Sequence, residues 1–235
     1  MLPLRDINPV RSTPIVNYLL IVGNIAAYLY MKSLPPWYEP GYALVPTRLF
    51  ADPLGEVFTV FTSMFMHANV EHIAGNLWFL WIFGDNVEDA MGHVRYLGFY
   101  LLGGLVAAAV QMAMTVGSPV PMVGASGAIA AVTGAYMVLY PRAPILVLNP
   151  VPLLWLFWGL SIVVPAWFVA GEFFVMNVLM GVQTLHSTAA AGGGVAVFAH
   201  IGGFVAGLLA VTPLSRGREK RRHGAWDGWR PPARR

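Results

Sequence analysis

From Tyr96 to Pro141 the chain carries no charged side chain, and Ser12–Met31, Ala143–Gly171 and Phe173–Ser215 are equally free of charge. A helical membrane span needs about 20 apolar residues, so the run Tyr96–Pro141 is long enough for two. The sequence "GSPVP" (Gly117–Pro121) supplies a turn between them. Only 11% of the 235 residues are charged, against roughly 25% in a soluble domain. Such a chain cannot cover itself with charge, and the bilayer is its expected solvent.

The runs divide into six spans, at about 14–31, 66–84, 96–116, 122–140, 163–183 and 195–213. Charge sets their orientation. With six spans the N-terminus, the loops 85–95 and 141–162 and the tail share one side. That side holds Arg5, Arg11, Arg95, Arg142 and the eight basic residues after Ser215, whereas the other side holds only Lys32 and Arg48. The asymmetry fits cytoplasmic placement of both termini; a seventh span would move the basic tail outside. The expected organisation is a cytoplasmic segment over 1–13, a six-helix membrane domain over 14–213 and a basic tail over 214–235. The tail is rich in Gly and Pro and is expected to be disordered. "VLNPVPLLWLFWGLSIVVP" (Val147–Pro165) becomes an apolar, proline-flanked segment on the inner side, interfacial or half-buried, and the outer loop 32–57 carries the proline and aromatic residues of a headgroup-level segment. No A-x-A cleavage pattern follows the first span, which reads as a retained anchor. The chain has no cysteine, which excludes disulfides, a thiolate nucleophile and cysteine metal sites. Neither a cofactor nor a nucleic-acid partner is expected.

Four polar residues on three of these spans fall at one depth. Ser126 lies near the outer end of the fourth span in "GASGAIAAVTGAY", His200 near the outer end of the sixth in "VFAHIGGFVAGLLA". His72 and Asn76 lie one turn apart in the outer half of the second. At 1.5 Å rise per residue all four stand within ~5–15 Å of the outer surface. Ser126, Ala130 and Gly134 share one face of the fourth helix; His200, Gly203, Gly207 and Ala210 share one face of the sixth. Small residues at that spacing let helix backbones approach closely. A serine hydroxyl becomes a nucleophile when an imidazole takes its proton, and the imidazole can return that proton to a leaving amine. His72, Asn76 and the Ser126 backbone N–H are candidate oxyanion donors, and Gly124 and Gly127 leave room for a substrate backbone. No acid obviously completes a triad, so the pattern predicts a Ser126–His200 dyad. Each residue taken singly also has a structural reading: Ser126 bonding back to a carbonyl, His67 and His72 bonding within the outer loop, Asn76 joining helices, and Glu88 capping or tying the inner loop.

In this order and on these spans, "HIAGN" (72–76), "GDNVEDAMG" (84–92), "GASG" (124–127) and "AHIGG" (199–203) with Gly207 resemble the rhomboid family of intramembrane serine proteases, bacterial type. The resemblance covers about residues 55–212. It implies a six-helix rhomboid bundle in a bacterial plasma membrane that hydrolyses membrane proteins. Ser126 is then the nucleophile, His200 the base, His72 and Asn76 the oxyanion stabilisers and Gly124–Gly127 the close approach around the serine. It also implies a single-span substrate that unwinds into a wet cavity, gated by the fifth helix and the first outer loop, and a structural role for His67. The sequence departs from the family at two places. Ala130 stands where some members carry a tyrosine under the catalytic histidine, and the tryptophan–arginine pair of the first outer loop has only Arg48 as a candidate. An inactive, client-binding relative would have lost Ser126 or His200, and both are present. A transporter would need broken spans in two matching halves, a zinc protease H-E-x-x-H, and an aspartyl protease two facing buried acids, where only Glu172 qualifies. Substrate identity and oligomeric state are not encoded in any motif.

Overall fold

A computed structural model describes residues 1–35, 39–155, 159–186 and 196–215. Residues 36–38 of the outer loop and the basic tail from Arg216 lie outside the described residues. Among the described residues are six helices of fourteen residues or more: α1 (Ile15–Ser33), α2 (Val70–Met91), α3 (His93–Met114), α4 (Ser126–Leu139), α5 (Ala166–His186) and α6 (Val197–Leu214). They overlap all six expected spans. Four of them, α1, α3, α5 and α6, are long and apolar enough to cross a membrane. α4 is apolar but has only 14 residues, and α2 carries Glu71, Asp85, Glu88 and Asp89.

α4 is the axis of the bundle. Gly127 to Tyr136 are all buried, as expected of a helix apolar on every face. α6 lies against it backbone to backbone. A Cβ on Gly203 would strike the Gly127 carbonyl oxygen, one on Gly207 the Ala131 oxygen, and one on Gly134 the Phe204 oxygen. These glycines are required by contact, as the small-residue stripes predict. The outward faces of α1, α3 and α6 show Leu19, Val22, Leu29, Leu102 and Leu209, each at least 60% exposed, which suits lipid rather than water.

The fourth helix begins four residues later than expected because Gly124 has φ 126°, outside the helical region. The second extends seven residues further inward. Its acids, which look like a loop in sequence, are internal ligands. Glu88 is fully buried; its carboxylate accepts from the Val16 and Asn17 backbone N–H groups at 3.0 and 2.7 Å. Pro14 offers α1 no side-chain cap, so an acid from another helix satisfies its orphan donors and its dipole. His93 Nδ1 lies 2.5 Å from the same carboxylate. Asp89 accepts from Ser12 at 2.6 Å. Glu88 thus ties the start of α1, beyond the inner loop where the sequence placed its role, and touches that loop only through His93.

An all-α chain is expected from the apolar runs; the structure adds a three-stranded antiparallel sheet, β1 (Pro3–Asp6), β2 (Pro144–Leu148) and β3 (Ser161–Pro165), in that order. β2 and β3 pair from Pro144 with Pro165 to Leu148 with Ser161. "PILVL" and "SIVVP" are β-branched runs bounded by proline, and short apolar runs of this kind cannot be told from helix by periodicity. β3 is half-buried, and residues 156–158 of the same segment lie outside the described residues. β1 places the first residues in the fold: Tyr136 Oη and Asn86 Nδ2 both donate to Asp6 at 2.7 Å, and Trp78 Nε1 donates to the Pro3 carbonyl.

Candidate active site

Ser126 is the first residue of α4 and half-buried. The helix has no side-chain cap, so its first N–H groups, Ser126's included, have no intrahelical acceptor. The chain reaches it as an extended segment held by the outer loop. Leu44 and Met122 exchange backbone hydrogen bonds of 3.2 and 2.7 Å, and Gly124 N donates to the Ser63 carbonyl at 2.8 Å.

His72 and Asn76 meet that segment from α2. Asn69 caps α2 by accepting from the His72 N–H at 2.8 Å, which fixes the first turn. One turn separates His72 from Asn76, and both side chains reach Gly124. A Cβ there would lie 2.8 Å from His72 Nε2 and 3.6 Å from Asn76 Nδ2. Gly124 thus combines a positive φ with the absence of a side chain, and any other residue would displace His72. Asn76 Nδ2 is buried and has no hydrogen-bond partner in the structure. An unpaired buried amide donor costs about 1–3 kcal/mol and marks a place where an acceptor is missing.

His200 lies in the first turn of α6 and is buried. α4 and α6 bring it to the serine: a Cβ on Gly127, next to Ser126, would lie 3.8 Å from both the Cβ and the carbonyl oxygen of Ala199. Ser126, Ala196 and Ala199 also line one cleft, with Ala107 and Ala108 of α3. Ser126 Oγ and His200 Nε2 make no hydrogen bond among the described residues. In unliganded sites such bonds are commonly long and tighten only with substrate.

The Rhomboid domain family matches residues 54–217. The chain belongs to the rhomboid family. It is a multi-pass membrane protein. It is 29% identical over 127 residues to the mitochondrial presenilin-associated rhomboid-like protein of Bos taurus, covering 52% of this chain and 33% of that protein. It is 37% identical over 83 residues to rhomboid protease GluP of Bacillus subtilis, covering 35% and 16% respectively. It is 31% identical over 113 residues to the chloroplastic rhomboid-like protein 11 of Arabidopsis thaliana, covering 48% and 32%. The matched stretch spans about a third of these relatives or less.

Three residues that sequence reasoning did not single out, Phe173, Asn177 and Gln111, support His200 and the start of α6. From α5, Phe173 packs beside His200, its ring centre 5.8 Å from that of His200 at 39°. One turn on, Asn177 Oδ1 lies 2.7 Å from His200 Nδ1. Gln111 of α3 accepts from the Ala199 N–H at 3.0 Å, capping the start of α6. Arg48, the candidate for the outer-loop arginine, forms a bidentate pair with Glu56 through Nη2 at 2.6 and 2.7 Å. The Glu172 carboxylate pairs with the Met1 amino group. His67 packs its ring edge-on to His72 at 5.2 Å, in keeping with a structural role. Among the described residues no group of acids and histidines could hold a metal ion.

Proposed function

We propose that this rhomboid is an intramembrane serine endopeptidase working through Ser126 and His200. The carrying observation is the buried, unpaired Nδ2 of Asn76 beside Gly124, two residues before a serine at an uncapped helix N-terminus. In this reading His200 Nε2 takes the Ser126 hydroxyl proton as Oγ attacks the scissile carbonyl carbon. The carbonyl oxygen becomes an oxyanion that accepts from Asn76 Nδ2, His72 Nε2 and the Ser126 N–H, at the positive end of the α4 dipole. His200 then gives its proton to the leaving amine, which releases the first fragment and leaves an acyl-serine. Water attacks that ester with His200 again as base, freeing the new carboxylate and restoring Ser126.

The substrate class is a single membrane span that unwinds at the cleft, because an intact helix spends its carbonyls on its own hydrogen bonds. All six helices cross the membrane, and the charge asymmetry supports cytoplasmic placement of both termini; a bacterial plasma membrane rests on the resemblance of the motifs to bacterial rhomboids. Cleavage of a fluorescent single-span peptide in proteoliposomes tests the reading. Wild type cleaves, and Ser126→Ala and His200→Ala do not. A wild type that binds unstable spans without cutting them refutes the protease reading and favours a client-binding rhomboid.

A further inference from the structure

We propose that Asn177 is the positioning residue of the site: its Oδ1 accepts the Nδ1 proton of His200, holding the neutral imidazole with Nε2 bare for the Ser126 hydroxyl. The inference rests on the reading of Ser126 and His200 as nucleophile and base. A dyad leaves the imidazole free to turn and to carry its proton on either nitrogen, and only the Nδ1–H tautomer is a base at Nε2.

The geometry fixes which atom of the amide faces the histidine. Asn177 Nδ2 donates at 2.8 Å to the Phe173 carbonyl one turn earlier in α5. That oxygen can only accept, so the flipped amide would set oxygen against oxygen. Oδ1 therefore faces His200 Nδ1 at 2.7 Å, and the proton between them belongs to the imidazole. Asn177 and His200 are both buried, so water does not compete for the bond. Phe173 and Asn177 stand at positions i and i+4, which share a helix face. One supports the His200 ring and the other holds its nitrogen. Asn177 is a different residue from Asn76, whose Nδ2 faces Gly124, and it acts through His200 without touching substrate.

The test uses full-length protein in proteoliposomes, with cleavage kinetics beside 15N NMR of histidine-labelled enzyme, the His200 signals being assigned by their loss in His200→Gln. In wild type, Nδ1 of His200 is protonated and Nε2 is not. Asn177→Leu keeps the branching at Cγ and loses the acceptor; kcat falls about 10–100-fold at a KM changed less than about 2-fold, and the His200 signals show mixed tautomers. Asn177→Asp keeps an acceptor oxygen, and its kcat stays within about 10-fold of wild type. Wild-type kcat in Asn177→Leu overturns the proposal, as does an Nε2 proton in wild-type His200. Should Asn177→Leu fail to fold, the wild-type spectrum and Asn177→Asp decide. If wild type cleaves nothing, the protease reading fails, and the wild-type spectrum still decides whether Asn177 sets the tautomer.

Discussion

Gly127→Ala separates the helix packing of the site from its chemistry. A Cβ at Gly127 would lie 2.5 Å from Ala107 Cβ, where carbon atoms in contact stand about 3.5–4.0 Å apart. Neither methyl group can turn away, since a Cβ is fixed to its own backbone, so α3 and α4 must part by about 1 Å. Overpacking of this size costs ~1–3 kcal/mol, and replacing a helical glycine returns up to ~1 kcal/mol. The expected net loss of stability is therefore only ~0–2 kcal/mol. Ser126 is the adjacent residue, and a misplacement of about 1 Å in a catalytic constellation costs on the order of 100-fold in rate. Gly98→Ala on α3 is the control, because a Cβ there meets nothing within 4 Å. Cleavage rates in proteoliposomes and thermal unfolding in detergent are measured side by side. Gly127→Ala loses ~100-fold in kcat with little loss of stability, and Gly98→Ala is neutral in activity and as stable as wild type or more so. Gly127→Ala cleaving within about 3-fold of wild type would mean that the α3–α4 contact does not position the serine.

Asn76→Ala removes the unpaired donor beside Gly124; kcat falls by about 10²–10³ while the thermal midpoint hardly moves, and unchanged cleavage would exclude Asn76 from the oxyanion site. Glu88→Ala strips the start of α1 of two charge-assisted acceptors and destabilises by at least ~3 kcal/mol, readable as a lowered unfolding midpoint in detergent; a loss below ~1 kcal/mol counts against the cap. Burial raises the Asp6 carboxyl from 3.8 to about 7, against the opposing hydrogen bond from Tyr136. The folded chain then holds a proton that the unfolded chain releases at about pH 4, so this contribution is full below pH 4. It falls as pH rises to about 7 and is constant above that, by on the order of 4 kcal/mol. Asp6→Asn removes this slope from the pH dependence of unfolding, and an identical slope in the variant contradicts a buried, protonated Asp6.

What the sequence revealed follows from where lipid makes polarity expensive. Ser126, His200, His72 and Asn76 stand out because a polar group in an apolar run needs a reason, and the glycine stripes of α4 and α6 stand out because they recur at helical spacing. Asn177 carries the same kind of signal in "FFVMNVLMG". It was missed because its partner lies 23 residues away and nothing in the run says which face it occupies. The inner acids failed in the opposite sense. Asp85, Glu88 and Asp89 read as the end of a span, although two of the three answer needs created elsewhere, the bare start of α1 and the Ser12 hydroxyl. The sheet was hidden because "PILVL" and "SIVVP" are too short to show a period, and β1 depends on a register with β2 more than 130 residues later.

The length of α4 bears on how the serine of a membrane protein stays only half-buried. Fourteen residues rise about 21 Å, some 9 Å less than a hydrocarbon core of about 30 Å. Gly124, with its φ of 126°, ends the helix below the surface, and a continuous helix from Met122 would have buried the Ser126 N–H in a hydrogen bond. The missing length is covered by irregular backbone, which lipid tolerates only where protein satisfies it. Here the outer loop does so, through Leu44 against Met122 and Ser63 against Gly124. The same segment that shortens the helix thus frees the donors at its N-terminus and brings His72 and Asn76 against a residue without a side chain. In the proposed reading, a substrate span that unwinds there meets His200 as base and the unpaired Asn76 donor together.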